Sequence, residues 1–421
     1  MTATATTDTA LAASAATDED LSAIFDPIFA RIAEGAVSRE RDRRLPHEQI
    51  GWLREAGFGR LRLPRAAGGF GATADQQAAL LIGLGAADSN IVQALRGHIG
   101  FVEFVLAHPR EEFRDFWFAE LAAGALVGNA ESERTGPFAR QATRVHQEDG
   151  ELVLDGTKYY TTGSIFADWI LVSARAEEGV SGEAGLATVV VRADAPGVRI
   201  EDDWDGFGQR LTGSGTTVFT GVPVDPRFVT ARSAESAPGS VLHATYQLVH
   251  LSALAGIAEA ALRDITEFVR TRPRNLFNPA IAPTEDPVSL QVLGESFGAV
   301  KTVRASVLAA AASVEAASAA QRSGAEEAET TALLAAADAH VFGIQSTVID
   351  LVLRATGRIF EVGGASATSG SRALDRHWRN ARTISSHNPA IYRQQAVGNH
   401  LANGVPPAAS FLALLAAEPA N

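Results

Sequence analysis

Two histidines stand in settings that suit chemistry. His387 closes the run Arg379-Asn380-Ala381-Arg382-Thr383-Ile384-Ser385-Ser386-His387-Asn388-Pro389, with Tyr392, Arg393, Gly398 and Asn399 just beyond. An imidazole titrates near neutral pH, so it can act there as a base or a hydrogen-bonding group. The plainer alternative is a histidine that caps a helix before Asn388-Pro389. His98 lies in Arg96-Gly97-His98-Ile99-Gly100, where a buried, locally satisfied histidine is the competing reading. Asn129 and Ser164 offer an amide and a hydroxyl that donate or accept hydrogen bonds, although as bare features they read as turn residues. The chain has no cysteine, which removes disulfides, thiolate nucleophiles and thiolate metal ligands. Its ten histidines include no His-Glu-x-x-His motif and no close cluster, so no metal site is expected.

The elements that must position these groups come in three blocks. A chain of 421 residues, 46% hydrophobic, is long enough for a large core and two or three domains. Residues 1–18 are rich in Ala and Thr and read as a disordered tail without the basic start or apolar core of a signal peptide. Residues 19–123 read as an N-terminal helical domain. Leu21, Ile24, Phe25, Ile28 and Phe29 share one helical stripe, and Pro46 opens a helix at His47. After the turn Gly68-Gly69-Phe70-Gly71, one helix is expected from Thr73 to about Gly85 and another from Asp88 to His108. Residues 124–235 change character. The segments 152–154, 158–161, 169–172, 187–191 and 216–219 read as short strands punctuated by Gly, Asp and Pro, which predicts a small central β-barrel or sandwich. Residues 236–421 return to helix, with a proline-rich break at Pro273, Pro279, Pro283 and Pro287 and a helix end at Gly324.

The same order excludes several classes. No glycine-rich fingerprint follows a strand, so a Rossmann unit is not expected. The formal net charge of -13, from 49 acidic and 36 basic residues, disfavours a nucleic-acid binder. No stretch of eighteen clean apolar residues is expected to cross a membrane. The alanine-rich run Val307–Ala320 is broken by Ser313, Glu315 and Ser318 and reads as a packed helix. A cytoplasmic protein is the simplest expectation.

Four segments carry a family resemblance. These are Gly128-Asn129-Ala130-Glu131-Ser132-Glu133, Thr157–Ser164 followed by Ala167-Asp168-Trp169, Asp203–Arg210 with Thr212-Gly213-Ser214-Gly215, and the C-terminal run above. In order and spacing they resemble the acyl-CoA dehydrogenase superfamily from about residue 20 to 405. The resemblance implies an α+β fold: an N-terminal α-helical domain, a central β-barrel domain and a C-terminal four-helix bundle. The first segment departs from the family after Glu133, where Arg134-Thr135-Gly136-Pro137 replaces a glycine-rich turn. Within the superfamily the chain looks most like the reduced-flavin-dependent monooxygenases of the dibenzothiophene and sulfur-acquisition type.

That resemblance implies reduced FMN, with FAD possible, delivered by a separate NAD(P)H:flavin reductase. It implies reaction with O2 through a C4a-hydroperoxyflavin, and oxygenation of sulfur or nitrogen in a small apolar substrate by a homotetramer. His387 falls where dehydrogenases carry a catalytic glutamate. With His98 it would flank the hydroperoxide from opposite sides, while Asn129 and Ser164 would lie beside the flavin. Trp169 would pack on the ring system or in the domain core. Arg274, in Arg274-Asn275-Leu276-Phe277-Asn278, is similar to a phosphate-contacting arginine, with Arg272 a close competitor. Arg376, Arg379 and Arg382 divide between flavin phosphate and surface pairing. Gly363-Gly364 resembles a cofactor-side glycine pair, or simply ends a helix. Val102 stands where the desulfurising relatives carry a tyrosine, which implies a different substrate. The rival reading is an FAD-dependent acyl-CoA dehydrogenase with Glu361 as a displaced base. A non-catalytic flavin-binding protein is more distant.

Overall fold

In the computed structural model, residues 15–134, 141–178, 180, 185–232, 240–275 and 279–416 are described. Most of the expected tail lies outside them, but Ala16 is buried. Thr17 caps helix α1 (Asp18–Glu34) through a reciprocal bond with Asp20, satisfying two otherwise free backbone donors. Leu21, Phe25 and Phe29 of the expected stripe are buried, while Ile24 is exposed. Helices α2 (Ala36–Asp42) and α3 (His47–Glu55) follow. Gly68 and Gly71 then take left-handed φ values of 80° and 61°, which glycine adopts without a Cβ penalty.

The two helices expected on either side of Asp88 form one element, α4 (Ala74–Leu106), kinked at Asp88 (φ -160°, ψ 104°). The kink has a local cause. Asp88 Oδ2 accepts from Arg39 Nε and Nη2, and its Oδ1 accepts from the backbone of Asn90. Asp88 thus acts as an internal N-cap for the half of α4 that carries Arg96 and His98. Helix α5 (Glu111–Ala122) then leads into the sheet.

Eight strands follow: β1 (Val127–Ala130), β2 (Arg144–Glu148), β3 (Glu151–Lys158), β4 (Trp169–Ala176), β5 (Gly185–Arg192), β6 (Val198–Ile200), β7 (Thr217–Pro223) and β8 (Val229–Ala231). They pair in the order β6-β7-β3-β2-β4-β5-β8, with β1 parallel to β4. The expected barrel is therefore corrected. The sheet is an open path ending at β6 and β8, each three residues long, and short edge strands limit unwanted pairing without closure. Alternation along a strand reports which face is buried but carries no information about closure. One face of the sheet holds a core of Val145, Leu154, Ile170, Val172 and Val189. Trp117 and Phe113 of α5 cover Leu171 and Val190 on the other. That double coverage explains why β4 is buried along most of its length.

The remaining chain is helical: α6 (Leu242–Thr271), α7 (Pro287–Ser323), α8 (Glu327–Gly363), α9 (Asp375–His387), α10 (Ala390–Asn403) and α11 (Pro407–Ala416). Gly324, at φ 66°, ends α7 as expected. Helix α4 packs along α6, α6 along α7 and α8, and α9 lies across α6 and α8. Helices α4, α7 and α8 are long and apolar enough to cross a membrane by length and composition. None of them is a clean apolar run, since Asp88, Glu315 and Asp338 interrupt them, but small apolar residues such as alanine raise the mean hydropathy without bulky side chains. The apolar window of α4 is 89% buried within the chain, whereas those of α7 and α8 are 33% and 44% buried, leaving two long faces uncovered.

Candidate active site

His98 is buried, and both of its ring nitrogens are committed. Nδ1 accepts from the Val127 amide at 3.2 Å, and Nε2 lies 2.7 Å from the Gly59 carbonyl. A carbonyl only accepts, so Nε2 carries the proton and the ring is neutral. Burial lowers its pKa to about 4, against the pull of the Gly59 carbonyl. His98 therefore fastens α4 to β1 and to the loop at Gly59. In this arrangement both nitrogens meet backbone groups rather than open space.

His387 meets a different partner. It is the last residue of α9, and its ring lies 4.6 Å from that of His250 on α6, tilted by 58°. Helix α9 is fixed by Ala381 and Ile384, which join the main core. Asn380 Oδ1, which accepts from Gln209 N at 2.6 Å, adds a second anchor. His387 Nδ1 faces Asn388 Oδ1 at 3.3 Å, so Nδ1 donates and Nε2 keeps its lone pair. Asn388 is held in turn by Gln345, which donates to its carbonyl at 2.8 Å, and through Nδ2 by Gln247 at 3.4 Å. The ring keeps access to solvent although protein crowds it. That crowding, then the positive charge of Arg96, pushes its pKa well below the ordinary histidine range. Solvent access tempers the size of the effect but not its direction: the imidazole is neutral at pH 7.

His250 is buried with no partner at either ring nitrogen. Burial, followed by the charges of Arg96, His387 and Arg393, holds it neutral. Arg96 Nε donates to the Tyr246 carbonyl at 3.2 Å, and its guanidinium lies 4.7 Å from the centre of the Tyr246 ring. Gly100 makes room for that ring, since a Cβ there would come within 2.0 Å of it. Sequence reasoning missed His250, Tyr246 and Arg96. The available signal was a lone histidine inside the apolar run Leu248–Ile257, on the face that later buries.

Asn129 and Ser164 are brought together. Both are buried, and Ser164 Oγ donates to the Asn129 carbonyl at 3.4 Å. Gly97 and Gly128 permit this closeness. A Cβ on Gly97 would lie 2.6 Å from Asn129 Oδ1, and one on Gly128 would lie 2.5 Å from Ser164 Cα. Asn129 Oδ1 is buried with no donor among the described residues, so its acceptor capacity is free. Beside it, Glu131 pairs with Arg232 at 2.9 Å, and Glu133 with buried Lys158 at 2.9 Å.

The other candidates scatter. Trp169 donates to Glu120 at 3.2 Å and packs on Trp117 and Phe228, so it belongs to the core rather than to a cofactor face. Arg376 is buried against Asp264 at 2.5 Å, which His377 also meets at 2.9 Å. Its charge is thereby paired within the fold. Arg272 donates to the Val362 carbonyl at 3.0 Å. Arg274 is exposed, and Phe277 and Asn278 of its motif lie outside the described residues. Arg379 ties Glu40 and Asp375 together. Arg382 donates to Ser386 at 3.2 Å and pairs with no carboxylate among the described residues. Glu361 is exposed beside Arg358 at 3.2 Å and does not join the histidines. Val102 is packed in the core with Phe101 and Trp117. Away from this region, His146, Glu148 and Asp155 place possible ligand atoms within 4.8 Å of one another. They form the one such group among the described residues.

Comparison with known proteins agrees with this architecture. Models of the acyl-CoA dehydrogenase N-terminal, middle and C-terminal domains match residues 28–125, 116–222 and 248–390. A dibenzothiophene monooxygenase from Rhodococcus erythropolis is 28% identical over 407 residues, covering 94% of this chain and 96% of that protein. The methanesulfinate monooxygenase MsuC from Pseudomonas fluorescens superposes with a TM-score of 0.81 at 26% identity, covering 92% and 98% of the two chains. FMN-bound TdsC from Paenibacillus sp. A11-2 gives a TM-score of 0.81 at 25% identity, covering 91% and 98%. The chain belongs to the acyl-CoA dehydrogenase superfamily, and over nearly its whole length its likeness is to the dibenzothiophene and sulfur monooxygenases of that superfamily.

Proposed function

We propose that this protein is the oxygenase of a two-component flavin monooxygenase, which uses reduced FMN and O2 to oxygenate sulfur, or nitrogen, in a small organic substrate. The observation that carries this reading is the full-length likeness to FMN-bound TdsC and to a methanesulfinate monooxygenase. A buried amide oxygen at Asn129 without a donor supports it. The residues fit the cofactor: Asn129 Oδ1 can accept from a ring N–H, and Ser164 Oγ retains lone pairs beside it. Arg382 and Arg274, which pair with no carboxylate among the described residues, suit a phosphate. When bound, the reduced flavin supplies two electrons to dioxygen, so one oxygen atom enters the substrate and the other leaves as water.

The chain's own residues would do the rest. His387, neutral and with Nδ1 turned to Asn388, offers Nε2 as a proton acceptor or an orienting group at the reacting edge. His250 packs beside it and helps exclude water from that edge. His98 holds the β1 strand that carries Asn129. A separate NAD(P)H:flavin reductase would supply the reduced cofactor in the cytoplasm. The uncovered faces of α7 and α8, with exposed Ile391, Tyr392 and Leu401 on α10, support assembly into a homotetramer.

The test is 18O2 incorporation by purified protein, a flavin reductase, NADH and FMN, against thioethers, sulfinates and amines. Labelled product dependent on FMN supports the reading. Absence of product, with bleaching of bound FAD by an acyl-CoA under anaerobic conditions, would move the protein to the dehydrogenases.

A further inference from the structure

Among the described residues five arginines are buried: Arg39, Arg62, Arg96, Arg376 and Arg393. Three have carboxylate partners, Arg39 with Asp88, Arg62 with Glu103 and Glu315, and Arg376 with Asp264. Arg96 and Arg393 form no ion pair, and the carboxylate that acts on Arg96 through space, Glu131, is itself paired with Arg232. Arg393 is 4% exposed, and its Nε and Nη1 meet no acceptor. Its guanidinium lies 5.1 Å from the ring centre of Phe342 and 4.5 Å from that of Phe411, so it is packed and aimed rather than loose. Arg96 makes its hydrogen bond through Nε alone. Arg96 meets α6 at the carbonyl of Tyr246, one turn before His250, and Arg393 packs on Phe411, whose ring lies 6.3 Å from that of His243 on the same helix. Both arginines thus border the stretch of α6 that carries His250, and Arg96 adds to burial in lowering the pKa of Arg393 to about 10. A buried charge without a counter-ion is strongly unfavourable, and two neighbouring charges of one sign are worse. Asp338 sits near Arg393 but forms no ion pair with it. Its Oδ1 is unpartnered, and burial raises its pKa to about 7, so it cancels the charge only in part.

We propose that Arg393 and Arg96 form an oxyanion site beside His250 and His387, and that the substrate is a small organic acid, a sulfinate or carboxylate, held by that group. This rests on the oxygenase reading above and narrows its substrate class. Guanidinium forks match the two oxygens of such a group, and the free ring nitrogens of His250 add hydrogen-bonding capacity. A flavin phosphate would need the same donors, but the ribityl chain separates that phosphate from the reacting ring. A site adjoining His387 therefore belongs to the substrate. The substrate expected from the resemblance was apolar, and these surroundings are not.

The experiment uses the full chain with oxidised FMN, titrated with benzenesulfinate and, separately, with uncharged methyl phenyl sulfoxide. Calorimetry should show binding of the anion and at least about tenfold weaker binding of the neutral compound. Arg393→Met and Arg96→Met should each weaken anion binding by about 10- to 100-fold. FMN affinity, read by fluorescence quenching, should change by less than about threefold. Arg393→Lys should recover part of the loss. Without anion, Arg393→Met should melt at or above the wild-type temperature, because it removes a buried charge with no partner. Equal binding of the two probes, or anion binding unchanged in Arg393→Met, would overturn the site. A loss confined to FMN affinity would assign the arginines to the flavin phosphate and also overturn it. Anion binding as expected, with no 18O-labelled product, would leave the site standing and remove the oxygenase reading instead.

Discussion

Replacing His98 by Gln tests whether this histidine fastens the fold or takes part in chemistry. Gln can keep one of the two backbone bonds, to Val127 N–H or to Gly59 O, but not both in the same geometry. Leaving one buried backbone group unpaired costs about 1–3 kcal/mol, so the variant should lose about that much stability at pH 7.5. The pH dependence is more specific. Burial holds the folded-state pKa at about 4, below the unfolded value of roughly 6.5. The native ring is neutral, and the unfolded chain takes up the proton first. The stability gained from a neutral His98 is therefore full above pH 6.5 and is lost as pH falls toward 4. At roughly 1.4 kcal/mol per unit the whole window amounts to about 3 kcal/mol. Gln does not titrate, so the gap between wild type and His98→Gln should narrow by up to that amount. Urea unfolding at pH 7.5, 5.5 and 4.5, at one protein concentration, measures the gap, and coupled oxygenation at pH 7.5 measures function. A gap that ignores pH, or a variant as stable as wild type that has lost its turnover, would refute the fastening role.

Three further outcomes are expected. His387→Ala should cut product formed per NADH by about 100-fold and raise hydrogen peroxide release, with FMN affinity retained, and peroxide and product assays separate these effects. Asp264→Asn removes the shared partner of Arg376 and His377 and should destabilise the chain by about 3–5 kcal/mol in urea unfolding, while His387 remains in place. Ser164→Ala should weaken FMN binding by about 3- to 10-fold, the scale of one lost hydrogen bond, as read by flavin fluorescence.

Much of the architecture was legible in the chain because it is written locally. The period of Leu21, Phe25 and Phe29 and the stop at Gly324 are each decided by neighbours within a turn or two. The strand segments were legible for the same reason, but their closure was not. Whether β6 and β8 meet depends on the register and twist accumulated over the whole sheet, and here they do not. Four strands, β1, β2, β6 and β8, were not foreseen at all. They are three to five residues long and mixed in character, too short to announce themselves.

The sequence by itself determined the family and the cofactor class, because those rest on ordered motifs spread along the chain. It also singled out Asn129 and Ser164, which the fold does bring side by side. Only the tertiary structure decided which groups share a chamber. His98 looked like the partner of His387, yet a histidine on a helix can face a ligand or a strand, and the rotation of α4 against β1 gives both of its nitrogens to backbone. His250, on an apolar helix more than a hundred residues from either motif, takes that place instead. The same long-range packing leaves Arg96 and Arg393 buried with no ion pair among the described residues. Charge neutrality is a property of three-dimensional neighbourhoods, and no reading along the chain could have established which arginines lacked a partner.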